Sequence, residues 1–277
     1  MCLRKIFFYK YNKLIMSLFH LFIFCALFSI LSTSVAQTQI PNITADFIKL
    51  DPYGNIYAVK ESQLYKFSPQ GKPLFHYSDN TLGVISSIDV FNPMKIMLFY
   101  QNSGTLVFLN EQLTPIREPV SLFDANYFTI SLASYSAANQ IHLYDNVNRY
   151  LLTLDFFMRE ISRTPINFPS FNPIKMIELE EKTLAMHDTE QGVFLFDIFS
   201  TFNKLIPLIT PRSVTVTPEL IYFANDNEIT IYNYKTMSIE TQQLPISNVI
   251  QTQFYRNKMI LLLQNGTIWI YEISMSF

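Results

Sequence analysis

Hydrophobic and polar positions along this chain alternate in short runs, and the runs come in pairs. An apolar strand ends at a polar residue, a short polar turn follows, and a second alternating strand ends at another polar residue. This two-strand unit recurs six times, over residues 56–68, 96–110, 141–155, 184–197, 221–233 and 260–272. The first residues of successive units lie 37 to 45 positions apart. Self-similarity at a period of about 40 residues is the mark of a repeat architecture. Beyond the N-terminal segment no helical periodicity is sustained.

Three columns align the repeats. The first strand of each unit ends at Lys60, Tyr100, Asp145, Asp188, Asn225 and Gln264. The second ends at an apolar–polar pair: Phe67-Ser68, Leu109-Asn110, Leu154-Asp155, Phe196-Asp197, Tyr232-Asn233 and Tyr271-Glu272. Asn, Asp and Ser start turns because their side chains hydrogen-bond the backbone just ahead. Downstream of four units stands a proline, at Pro119, Pro165, Pro207 and Pro245. Proline cannot donate to a ladder, so it marks sheet edges, strand starts or bulges. A further short strand precedes each unit, at 47–50, 88–91, 128–132, 174–177, 214–216 and 249–254. Four strands per repeat, one inner, two buried and one at the outer edge, make the blade of a β-propeller.

The expected fold is therefore an all-β, six-bladed β-propeller. The sixth unit is not followed by an outer strand, but Gln39-Ile40-Pro41-Asn42-Ile43 has the outline of one, proline included. The N-terminal strand is expected to pair in the C-terminal blade and close the ring, removing a loose sheet edge. A sandwich or barrel, and rings of five or seven blades, are alternatives that the spacing leaves open. Blade one carries Pro69 and Pro73 in place of the proline column.

Asp51-Pro52-Tyr53-Gly54-Asn55-Ile56-Tyr57, followed by Leu64-Tyr65-Lys66-Phe67-Ser68-Pro69-Gln70-Gly71-Lys72, resembles a blade of the NHL-type and related six-bladed propellers. The resemblance implies the fold. It implies no activity, because propellers serve as enzymes, sensors and scaffolds alike.

Residues 1–36 have the layout of a signal peptide. Arg4, Lys5, Lys10 and Lys13 precede an apolar run from Leu14 to Leu31, and Ser34 and Ala36 suit cleavage before Gln37. An uncleaved membrane anchor is the rival reading, since about 18 apolar residues can span a bilayer. With cleavage, residues 37–277 form a single exported propeller domain that does not span the membrane, periplasmic or associated with the outer membrane. Both cysteines, Cys2 and Cys25, fall in the segment removed, so burial alone must hold the domain together.

All 22 acidic residues lie beyond residue 36, so the mature chain is more acidic than the net charge of −2 for the whole. With no basic cluster, nucleic acid is excluded as a partner class. No cofactor is expected. His76, His142 and His187 form no metal-ligand pair, and neither a nucleophile elbow nor a phosphate loop is present.

Two faces remain as candidate sites. Turns between the middle strands gather Asp145, Asp188, Glu190, Asp226 and Glu228 on one face. They suit a cation or basic partner, or are simply good turn formers. On the opposite face two turns are unusually apolar and place Phe156, Phe157, Met158, Phe199 and Phe202 in adjacent blades. They suit a partner surface, or packing between blades. The leading expectation is a non-enzymatic scaffold of the bacterial cell envelope, docked on a protein partner in an envelope or outer-membrane assembly. The alternative is a hydrolase or lyase acting on a carbohydrate or small ester near the ring axis, with His142, Asp145, His187 and Asp188 as first candidates.

Overall fold

A computed structural model describes residues 37–136, 138–179, 183–197, 199–210 and 214–273. Residues 1–36, where a signal peptide is expected, and Ile198 of the second apolar turn lie outside the described residues. Every regular element among the described residues is a strand, and the strands form six four-stranded antiparallel sheets. The fold is a six-bladed β-propeller.

After a short strand β1 (Gln37–Gln39), blade 1 comprises β2 (Phe47–Leu50), β3 (Ile56–Lys60), β4 (Gln63–Phe67) and β5 (Pro73–Ser78). Blade 2 comprises β6 (Ser87–Asp89), β7 (Ile96–Tyr100), β8 (Thr105–Leu109) and β9 (Val120–Ser121). Blade 3 comprises β10 (Ile130–Tyr135), β11 (Gln140–Asp145), β12 (Tyr150–Asp155) and β13 (Glu160–Pro165). Blade 4 comprises β14 (Lys175–Leu179), β15 (Thr183–Asp188), β16 (Gly192–Asp197) and β17 (Phe202–Ile206). Blade 5 comprises β18 (Thr215–Val216), β19 (Leu220–Asn225), β20 (Glu228–Asn233) and β21 (Ser238–Gln243). Blade 6 takes β22 (Val249–Tyr255), β23 (Lys258–Leu263) and β24 (Ile268–Glu272) from the end of the chain, and β1 from its beginning.

The closure pairs Gln37, Thr38 and Gln39 with Tyr271, Ile270 and Trp269. The ladder is three residues long and starts two positions before the proline motif, meeting it only at Gln39. Ile40 continues it through a 3.0 Å bond from its N–H to the Ile268 carbonyl, and its side chain is fully buried. The recurring prolines stand at the ends of the outer strands rather than inside them. Pro165 is the last residue of β13, Pro41, Pro207 and Pro245 lie just past β1, β17 and β21, and Pro119 just precedes β9. A residue without an N–H stops the ladder there.

The hydrophobic interior is divided among the seams. Six buried clusters each join one blade to the next: blades 1–2, 2–3, 3–4, 4–5, 5–6 and 6–1. Each sheet is therefore covered on both faces, which is why strands such as Val193-Phe194-Leu195-Phe196 read as unbroken apolar runs.

The apolar–polar column sets the turn after each third strand. Ser68, Asn110, Asp155 and Asp197 each accept backbone N–H bonds from residues two and four ahead, and Asn233 from residues two and three ahead. Three residues past the first four, the backbone turns left-handed. Blade 1 uses Gly71 there (φ 79°), while blades 2, 3 and 4 use Leu113, Met158 and Ser200 (φ 58°, 67° and 62°). A side chain in this conformation costs roughly 1–2 kcal/mol. Leu113 and Met158 offset it by packing into the seams beside them.

Candidate functional site

The six inner strands line an axial channel with two chambers. The first, about 240 Å³, is walled by β2, β6, β10, β14 and β22 and includes Ser86, Ser87, Ser131 and Gln251. The second, about 410 Å³, opens among the turns that leave β2, β6, β18 and β22, and includes Pro52, Phe91, Thr217 and Tyr255. Lys49, Asp89 and Lys175 line both chambers and form the waist between them.

Side chains from the inner strands stitch the blades together around this axis. Gln251 of β22 gives its amide to the Ile48 carbonyl at 2.8 Å and accepts the Ile48 N–H at 2.9 Å, joining blades 6 and 1. Gln253 donates to the Thr215 hydroxyl at 3.0 Å, joining blades 6 and 5. Lys175 reaches from blade 4 to the Val214 carbonyl of blade 5 at 2.8 Å. Asp89 accepts the Phe91 N–H at 3.1 Å and that of Tyr135, in blade 3, at 3.5 Å.

The waist is electrostatically uncomfortable. Burial pushes Lys175 down to about 7, and the neighbouring charge of Lys49 pushes the same way. Burial also lowers Lys49, which Asp89 partly offsets, and burial raises Asp89 against the pull of Lys49. Two lysine side chains and one carboxyl thus share the lining of both chambers, each disfavoured in its charged form by burial.

The acidic turn residues hold turns. Asp145 accepts from the Thr129 hydroxyl at 2.7 Å, from the N–H groups of Val147 and Asn148, and from the Asn148 side chain. Burial works against its charge, but these bonds outweigh it and hold the carboxyl below its usual range. Asp188 is buried and accepts the N–H groups of Glu190, Gln191 and Asn172. Asp226 sits in a left-handed turn and its carbonyl receives the Val249 N–H, while Glu228 begins β20. Neither His142 nor His187, nor Asp145 nor Asp188, lines either axial chamber. Both histidines are buried in the second strands of blades 3 and 4. His142 shares a hydrogen bond with Thr153 at 3.2 Å, and Thr153 one with Ser200 of the next blade at 3.2 Å.

The apolar turns divide. Phe156 is a strut between blades 2 and 3. Its ring meets that of Phe108 edge-on at 5.1 Å, Lys95 and Arg117 lie over it at 4.6 and 4.9 Å, and Arg117 bonds its carbonyl at 2.6 Å. Met158 packs into the same seam. Phe202 stacks edge-on against Phe168 at 4.7 Å. Phe157 and Phe199, by contrast, are 73% and 72% exposed at the tips of equivalent turns in neighbouring blades. The corresponding turn of blade 5 adds Met237, 70% exposed.

The axial lysines escape a search for motifs because each stands alone in a strand of four or five residues. The signal that could have found them is alternation. Once Phe47–Leu50 and Lys175–Leu179 are assigned as inner strands, polar Lys49 and Lys175 among apolar neighbours point to a lumen rather than a seam.

No family model matches the chain, and no curated protein matches it. Solved structures do. The WD40 domain of Neurospora crassa Pan2 superimposes with a TM-score of 0.62 at 10% identity, over 87% of this chain and 96% of that one. The β-propeller domain of Myceliophteria thermophila Cps50 (Swd1) gives 0.59 at 10% identity, over 87% and 99%. Virginiamycin B lyase from Staphylococcus aureus gives 0.54 at 11% identity, over 88% and 89%. At such identities the likeness shows the fold alone, a fold shared by a lyase and by WD40-type domains.

Proposed function

We propose that this protein is an exported, non-enzymatic scaffold of the bacterial cell envelope that docks a protein partner through the turn face of blades 3 and 4. One observation carries the reading: Phe157 and Phe199 hold large apolar side chains in water at the tips of turns whose geometry needs only the preceding Asp. Turn chemistry explains Asp155 and Asp197 but gives no reason for phenylalanine two positions later. Exposed aromatics grouped on one face mark contact sites, and aromatic side chains dominate binding energy where they are covered. The basic, apolar and small-residue layout of residues 1–36 supports export.

The double substitution Phe157→Asp and Phe199→Asp tests this reading. The purified variant should melt within about 1 kcal/mol of the parent, as surface changes do. Affinity capture from envelope extracts should lose the partner that the parent retains. Equal recovery by parent and variant would sink the proposal.

A further inference from the structure

The outer strand of each blade is a sheet edge, and five of the six are blunted in ways that keep edges from pairing. β1 and β9 are three and two residues long. β13 carries Glu160 and Arg163, β17 carries Lys204 and β21 carries Glu240. β5 is the exception. It runs six residues, Pro73-Leu74-Phe75-His76-Tyr77-Ser78, without an acid, a lysine or an arginine. Pro73 removes a donor only at the first position.

β5 is the last strand of its sheet, so one side of its backbone has no strand to bond. Among the described residues no backbone bond from another element reaches residues 73–78. Tyr77 packs into the seam between blades 1 and 2, and His76 against Tyr65 at 4.5 Å, which hold the strand in place from within. Leu74 and Phe75 remain 44% and 40% exposed.

The ends of the strand identify what pairs with it. Lys72 stands immediately before β5 and Asp79 immediately after it. When two copies pair antiparallel about a two-fold axis, the beginning of each strand lies beside the end of the other. Each Lys72 then comes next to an Asp79 of the second copy, and the uncharged centre brings no like charges together. Lys204 and Glu240, near the middle of β17 and β21, would meet their own copies in the same arrangement. We infer that two copies of this protein associate through β5, joining blade 1 of each into one antiparallel sheet across a two-fold axis. Leu74, Phe75 and Tyr77 supply the apolar and aromatic cross-strand pairs that stabilise such a ladder. This surface belongs to blade 1 and does not depend on the Phe157 and Phe199 turns of blades 3 and 4.

Sedimentation velocity of the purified protein, from low to high micromolar concentration, should show a reversible monomer–dimer equilibrium. Leu74→Lys gives β5 the kind of charge that its counterparts carry and should weaken the dimer roughly tenfold. The variant should melt with the parent, because the position is exposed. Lys72→Asp should weaken the dimer several-fold, and Lys72→Asp with Asp79→Lys should recover it, since exchanging both ends restores the facing charges. Phe157→Asp with Phe199→Asp should leave dimerisation unchanged. A second readout uses the parent alone: hydrogen exchange at residues 74–78 should slow as concentration rises. A monomer at every concentration, a dimer that Leu74→Lys leaves intact, or exchange in β5 independent of concentration would overturn the inference.

Discussion

Blades 3 and 6 have the same four-stranded plan, but one is a continuous stretch of chain and the other is assembled from both ends. In blade 3 the outer strand runs six residues and follows its neighbour through a tight turn. In blade 6 the outer strand is β1, three exposed residues joined to β24 only by hydrogen bonds. So short a ladder is weak by itself. Fully buried Ile40, the bond from the Ala45 N–H to the Gly266 carbonyl and the paired amide of Gln251 add the specificity that a covalent turn provides in blade 3. Closure also bears on the axis, since Gln251 both lines the smaller chamber and ties β22 to the strand that carries Lys49.

The largest way to break this contrast is to delete residues 37–41. The loss should be about 4 kcal/mol, within the range for emptying a buried site the size of isoleucine, and urea melts would report it. Blade 6 should lose protection first, leaving an unpaired edge on β24 that promotes association.

Acid should strike the other side of the ring. Burial pushes His142 and His187, in blades 3 and 4, down to about 4, whereas an unfolded histidine titrates near 6.5. As pH falls from 6.5 towards 4 the unfolded chain takes up protons first, so stability present above pH 6.5 is lost across that window. By pH 5 the loss is on the order of 2 kcal/mol per histidine. Blade 6 contains no histidine. Hydrogen exchange at pH 5 should therefore show blades 3 and 4 opening ahead of it; uniform opening would contradict the assignment.

The ring was legible in the sequence because its repeat rests on local chemistry. Strand ends at Asp145, Asp155 and Asp197 are visible as residue types, and so are the prolines at or just past the ends of β1, β13, β17 and β21. Phe47–Leu50 was placed to the residue, and the pairing of the N-terminal strand followed from a missing outer strand. The left-handed turns at Leu113, Met158 and Ser200 were not legible, since glycine marks that position only in blade 1. Nor was the split within the apolar turns. Phe156 and Phe157 are adjacent and chemically identical, and only the position of Lys95, Arg117 and Phe108 in the previous blade makes one a strut and the other a tip. The axial site draws on inner strands from separate blades, so it exists only after closure.

Ring closure is tested most directly by a cross-link. No cysteine occurs beyond residue 36, so Gln39→Cys with Trp269→Cys would form the sole pair in residues 37–277. These residues face each other across the antiparallel ladder, where Cα separations of about 4.5–5.5 Å permit a disulfide. Peptide mapping of the oxidised protein should find this bond within single chains, and should not find it for the off-register pair Gln37→Cys with Trp269→Cys. Equal cross-linking of both pairs, or of neither, would contradict a propeller closed by its N-terminal strand.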